Sequence, residues 1–342
     1  MPTGSVGIKR ARLDRSVVIL LDDPDDTPSH KVQITAEMER LHRLHGTSLI
    51  LDACQLLNLS CYASATTIFH RFYHRVSLKT CCVWTAAMAS IVLAAKVEEV
   101  AIALRNVIAT FSHLYRRRRL LISCDQSELR AILSHPSVAA SSVMTETASW
   151  TNVENERAKL VNVPPILSPK GPIYKDWFDA IIDTENQILR QLGFTLHWIP
   201  DHRPHKFLSY FLLALQIDDE LFTQSAWNYC NDSCRLDLCV RYQPEVIACA
   251  TLYATALEFR WELPMQPEPW WAVFCGGNCD RHLFRAVNTI LGLVDKANLD
   301  VCVASKAFVR SLVDNGSFVD PDHFIWFTLG EERGWRRKLD YL

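Results

Sequence analysis

Four charged residues pose the clearest chemical question in the sequence. The run VWTAAMASIVLAAK, residues 83–96, consists almost wholly of small and apolar side chains, the composition of a helix buried on every side. Yet it ends in Lys96, and Val97 is followed by Glu98 and Glu99. The fourth charge, Glu185, opens the segment ENQILRQLGF, which also holds Leu189 and Phe194. A buried ammonium without a partner costs several kcal/mol, so Lys96 lies at a surface or is paired. One partner is local: Glu99 stands at i,i+3, a contact worth about 0.2–0.5 kcal/mol on a helix surface. The other arrangement sets Lys96 and Glu185 side by side on an exposed face. Lysine offers three donors and a carboxylate only acceptors. Together they could hold the carbonyls and amides of another protein's backbone, which is binding rather than covalent chemistry.

Residues for bond-breaking chemistry are plentiful but scattered. The twelve cysteines are too few for a disulfide framework in 342 residues, and most sit on apolar helical runs, where a thiol behaves as a small hydrophobe. CGGNC (Cys275 to Cys279) looks like half a metal site, but no CxxC pair occurs, and a structural zinc site needs two close pairs. No metal or other cofactor is expected. No nucleophile motif, HExxH or glycine-rich phosphate loop accompanies the twelve histidines, so an enzyme is not expected either.

The elements that must position the four charges read as helices. Thr35 is a candidate N-cap for 35–59, followed by 62–77 and the alanine-rich helix to Lys96, then 101–117. From Arg116–Arg119 to Leu167–Pro172 the periodicity dissolves into a long surface loop, about 116–172, with room for a short helix at 126–134. The four arginines could contact phosphate or serve as a nuclear address; they also suit a solvated helix end. Helices resume at 174–194, ended at Gly193, and continue at 205–216, 221–240, 244–261 and 280–295, with Pro244 at a first helical turn. The formal net charge of −2 argues against a general grip on nucleic acid, and no run of 18 apolar residues predicts a membrane span. The first residues lack a secretory signal, and KRARLDR, residues 9–15, is either a nuclear address or a disordered basic stretch.

The chain repeats itself. Residues 88–96, MASIVLAAK, align without gaps on 249–257, CATLYATAL, at a shift of 161, and 185–192 align on 287–294 at a shift of 102. The expected fold is all-α: two five-helix bundles in tandem, each round a central alanine-rich helix. The first copy carries Lys96 and Glu185 where the second carries Leu257 and Val287. Apolar residues therefore satisfy the fold there, and the charges of the first copy suggest a role beyond folding. On this reading Leu257→Lys is expected to damage folding.

LAAKVEE, RNVIATF and ENQILRQLGF resemble the first cyclin box; AWNYCNDS, RYQPEVIACATLY and PEPWWAVFCG resemble the second box of transcriptional cyclins. The TPS opening into a long first helix is similar to cyclin L, less so to cyclins T and K. The resemblance covers about 27–295 apart from the loop and implies tandem cyclin boxes: a flexible segment 1–34, a first box 35–199, a second box 200–296 and a C-terminal extension 297–342. It implies a non-catalytic subunit that binds and activates a cyclin-dependent serine/threonine kinase, in the nucleus, in RNA polymerase II transcription or pre-mRNA processing. Lys96 then matches the family lysine that bonds backbone carbonyls near the kinase C-helix, and Glu185 its partner, which receives backbone amides. Val97, Leu189 and Phe194 match apolar kinase contacts, and Glu98 and Glu99 flank them. In WNYCNDS, Trp227 and Tyr229 are expected in the core, with Asn231 and Asp232 bonding backbone between helices.

Departures from the family pattern narrow the function. No arginine-serine tail precedes Leu342, which argues against a splicing role, and the docking motif of cell-cycle cyclins is not recognisable in SLILDACQLLNL. The rival reading, a B-type transcription factor with two cyclin-like repeats on promoter DNA, would want a zinc ribbon and a positive excess.

Overall fold

The structure is a computed structural model in which residues 27–123, 171–275 and 280–297 are described. The N-terminal basic stretch, the short helix expected at 126–134, Cys279 and the C-terminal extension lie outside the described residues.

The described residues are helical, with no strand among them. The described residues open with a single turn, α1 (Pro28–Lys31), and the long α2 (Ala36–Leu56). Thr35 caps α2, its hydroxyl accepting from the Met38 N–H at 3.3 Å. Then come α3 (Tyr62–Arg75), α4 (Val83–Val97), α5 (Leu104–Ser123) and α6 (Pro172–Gln191). Every residue of α4 from Val83 to Ala95 is buried, because α2, α3 and α6 all pack on it. Small side chains let those neighbours approach a central helix from several sides. Gly46 in α2 does the same for α3: a Cβ there would stand 2.1 Å from the ring of Phe69.

The second unit holds α7 (Pro204–Ala214), α8 (Glu220–Ser233), the turn α9 (Leu238–Arg241), α10 (Pro244–Phe259), the short α11 (Trp270–Cys275) and α12 (Asp280–Ala297). Here α10 is the central helix, buried at eleven positions from Pro244 to Ala256, with α7, α8 and α12 around it. Each unit has its own apolar core. The central helices start at Val83 and Pro244, the shift of 161 that the sequence repeat predicts. A second correspondence escaped the sequence reading: α3 and α8 are both 14 residues long and align end to end, Tyr62 with Glu220 and Arg75 with Ser233, each a shift of 158.

Three boundaries differ from expectation. α5 runs on through Arg116–Arg119 to Ser123, so the helix reaches into the segment read as loop. The span expected as one helix, 221–240, breaks at Ser233 and resumes as α9. Residues 27–34, expected to be flexible, pack on the first unit: Thr27 and Ser29 are buried, and the Ser29 hydroxyl accepts from the Leu78 N–H at 3.2 Å.

Candidate functional site

The site is built by the ends of two helices packed on each other, α4 and α6. α4 closes with paired bonds, Val100 N–H to the Ala95 carbonyl (2.8 Å) and Glu99 N–H to that of Lys96 (3.4 Å), with Glu99 in the left-handed conformation at φ 58°. α6 closes in the same way: Phe194 N–H bonds the Leu189 carbonyl at 2.9 Å, and Gly193 turns left-handed at φ 64°. Glycine suits that position. Phe194 follows it, also left-handed at φ 59°, an uncommon conformation for a bulky residue that costs about 1 kcal/mol or more. Its ring is 69% exposed.

Lys96, in the last turn of α4, donates to Glu185 Oε1. The lysine side chain is 58% exposed and the glutamate side chain 10%, so the pair joins a solvated cation to a nearly buried carboxylate. Glu185 Oε2 is buried and has no hydrogen-bond partner. Of the two pairings open to Lys96 from sequence, the structure holds the long-range one, with Glu185 rather than Glu99. Val97 and Leu189 are half-buried and pack on the first core beside the pair. Lys96, Val97, Glu185, Leu189 and Phe194 therefore share one end of the α4–α6 pair.

Glu98 does not stand with them on the open face. Ser64 donates to its Oε1 at 2.5 Å and Arg203 Nη1 reaches both its oxygens at 3.2 Å. Its carboxylate is spent inside the molecule, tying α4 to α3 and to the segment that leads into the second unit. Glu99 is exposed and serves as the left-handed cap.

Sequence reading missed Phe178 and Ile182. With Glu185 and Leu189 they fall at i, i+4, i+7 and i+11 of α6, one helical stripe. Phe178 is 38% exposed and stacks on Tyr174, ring centroids 6.4 Å apart. The 3–4 spacing of these residues is the signal in the sequence that marks the stripe.

The second copy inverts one expectation. Val287, at the place of Glu185, is 3% exposed, but Leu257, at the place of Lys96, is 51% exposed. A lysine at 257 would project into water, so Leu257→Lys should leave the fold intact, contrary to the expectation from sequence.

In the WNYCNDS segment Tyr229 is buried, as expected, whereas Trp227 is 39% exposed, its ring 5.0 Å from that of His205. Asn231 Oδ1 pairs with His205 Nε2 at 3.0 Å and Asp232 accepts from Arg235 at 3.4 Å. These are side-chain pairings where backbone bonds were expected. Cys275 lies 3.2 Å from Cys249, sulfur to sulfur. Among the described residues no group of three or more His, Cys, Asp or Glu is placed to hold a metal, and no helix is long and apolar enough to cross a membrane.

The fold resembles a chain of the crystal structure of the yeast RNA Pol II CTD kinase CTDK-1 complex, with TM-score 0.54 and 12% identity over 77% of this chain and 69% of that one. This is the tandem cyclin-box fold. Sequence comparison is more specific. Cyclin-L1-1 of Oryza sativa subsp. japonica is 32% identical over 251 residues, 73% of this chain and 48% of that protein. Cyclin-L1-1 of Arabidopsis thaliana is 32% identical over 288 residues, 83% and 58%, and human Cyclin-L2 is 31% identical over 286 residues, 80% and 46%. The chain is thus a cyclin L-like cyclin, spanning about half the length of the curated relatives it matches. No protein-family model matches it.

Proposed function

We propose that the chain is a regulatory subunit that binds and activates a cyclin-dependent serine/threonine protein kinase and performs no chemistry of its own. The Lys96–Glu185 pair carries this reading. Two opposite charges are held at the end of the central helix, beside the exposed ring of Phe194 and the half-buried Val97 and Leu189. Lys96 offers donors to carbonyls of the kinase and Glu185 accepts its amides. The apolar residues, extended by Phe178 and Ile182, cover the kinase C-helix. Seated there, the C-helix presents its glutamate to the ATP-site lysine, the arrangement an active kinase requires. Glu98 and Glu99 act from behind, fixing the end of α4.

On the same reading, residues 35–199 form the first cyclin box and 200–296 the second. The cyclin L likeness supports a nuclear role in RNA polymerase II transcription or pre-mRNA processing. Co-purification with candidate cyclin-dependent kinases tests the proposal. Lys96→Ala and Glu185→Ala should each lower complex formation and kinase activation about tenfold or more, while circular dichroism shows a folded chain. Unchanged binding and activity in both variants would overturn it.

A further inference from the structure

The end of the second unit's central helix repeats the backbone of the first and reverses its chemistry. α10 closes like α4: Trp261 N–H bonds the Ala256 carbonyl at 2.9 Å, Arg260 N–H bonds that of Leu257 at 3.4 Å, and Arg260 is left-handed at φ 52°. By the shift of 161, Leu257, Phe259, Arg260 and Trp261 occupy the places of Lys96, Glu98, Glu99 and Val100. The neighbouring helix corresponds as well. Ser64 of α3 aligns with Phe222 of α8, so the hydrogen bond from Ser64 to Glu98 has an aromatic counterpart. The ring of Phe222 lies 5.7 Å from that of Phe259 and 5.2 Å from that of Trp261.

No described residue closes over this aromatic corner. Phe222 is fully buried beneath it, but Phe259 is 39% exposed, Trp261 41% and Leu257 51%. Leu221, 73% exposed, stands one turn from Ser225, whose hydroxyl donates to Glu258 at 2.8 Å. That bond sets Leu221 and the end of α10 on the same side of the unit. Four large apolar side chains at one corner are more than scattered surface hydrophobics. The corner is also fringed with acid: Asp218, Asp219 and Glu220 precede Leu221, and Glu258 and Glu262 flank Phe259 and Trp261, all exposed. Arg260 is the sole base between residues 257 and 262. The Asp219 carboxylate caps the Phe222 N–H at 2.7 Å, which fixes that side chain at the rim.

We infer that this corner is a docking surface for a cationic, apolar-bearing segment of a protein partner, one that sets leucine or aromatic side chains on Leu257 and Trp261 and lysine or arginine over the acidic fringe. The apolar centre supplies affinity and the acids select the partner by charge. The inference is independent of the kinase proposal, since none of these residues belongs to the Lys96 site.

The test uses the full chain and three synthetic helical peptides, of leucine with lysine, leucine with glutamate, and serine with lysine, with binding read by Trp fluorescence and anisotropy. The leucine–lysine peptide should bind at least about tenfold more tightly than either of the others. Leu257→Lys and Trp261→Ser should each remove that advantage, whereas Leu56→Lys, at an exposed leucine of the first unit, should not. Glu258→Lys with Glu262→Lys should shift preference to the leucine–glutamate peptide. The inference falls if serine–lysine binds as well as leucine–lysine, or if binding survives both Leu257→Lys and Trp261→Ser. It falls equally if hydroxyl-radical footprinting of the peptide-free chain shows the corner already covered, by the chain itself or by a second copy.

Discussion

Lys96 and Glu185 do not depend on each other equally. Lys96 is mostly hydrated, so removal of Glu185 leaves its ammonium in water at little cost; pairs this exposed contribute about 0–1 kcal/mol. Removal of Lys96 leaves a nearly buried carboxylate whose second oxygen already lacks a partner, at about 1–3 kcal/mol. Lys96→Ala should therefore lower the denaturation midpoint more than Glu185→Ala, and the opposite order in urea unfolding would contradict this account. Two buried histidines make a second residue-scale prediction. Burial drives the pKa of His42 down to about 3 and that of His70 down to about 3, from 6.5. The unfolded chain takes up protons below pH 6.5 that the folded chain refuses until about pH 3. The stability they contribute at neutral pH is therefore lost progressively as pH falls from 6.5 toward 3. His70 pairs with the Cys234 carbonyl at 3.3 Å, so its Nε2 carries the proton. His70→Asn should flatten the fall in urea midpoint between pH 7 and pH 5, and an unaltered slope would exclude His70 as a source.

At the scale of elements, packing was more legible in sequence than surface position. The small and apolar composition of 83–95, interrupted only by Thr85 and Ser90, announced a central helix, and the repeat at 161 located its twin, because burial on all sides leaves almost no charged residue to blur the pattern. The equivalence of α3 and α8 was hidden because none of their aligned residues is identical, although their lengths match. The exposure of Leu257 was hidden for another reason. A leucine in an apolar helix reads as core, and only the crossing of neighbouring helices decides that the last turn emerges into water. Leu257→Lys should accordingly leave the melting temperature within a few degrees of the parent, where a buried lysine would unfold the unit. Gly46 gives the reverse case. Its missing Cβ is what brings α2 onto Phe69, itself fully buried with its ring 5.0 Å from that of Tyr73. Gly46→Ala should cost about 1–3 kcal/mol by overpacking, despite alanine's better helix propensity, and a stabilised variant in thermal melts would refute that packing account.

The two described units are held together by α2 and α3 as much as by the linker. The Arg71 guanidinium, stacked 4.2 Å over the Trp198 ring of the first core, reaches across to the Cys239 carbonyl at 3.5 Å, and His70 and Thr47 bond carbonyls of Cys234 and Arg235. Arg203 adds the link to Glu98. Contacts of this kind across two cores predict one cooperative unfolding transition, with tryptophan fluorescence and circular dichroism coinciding; Arg71→Ala should lower the midpoint or split the two signals. The same network reaches back to the first described residues. The Thr27 hydroxyl donates to Glu39 at 2.5 Å, Arg43 binds the other Glu39 oxygen at 2.5 and 2.9 Å and donates to the His70 carbonyl at 2.9 Å, and the His70 ring meets the second unit. A recombinant fragment begun at the first long helix would thus sever the outermost link of a chain that runs from Thr27 to the second core. The cloning boundary for a well-behaved fragment lies upstream of Thr27, eight residues earlier than the helical periodicity from Thr35 would place it.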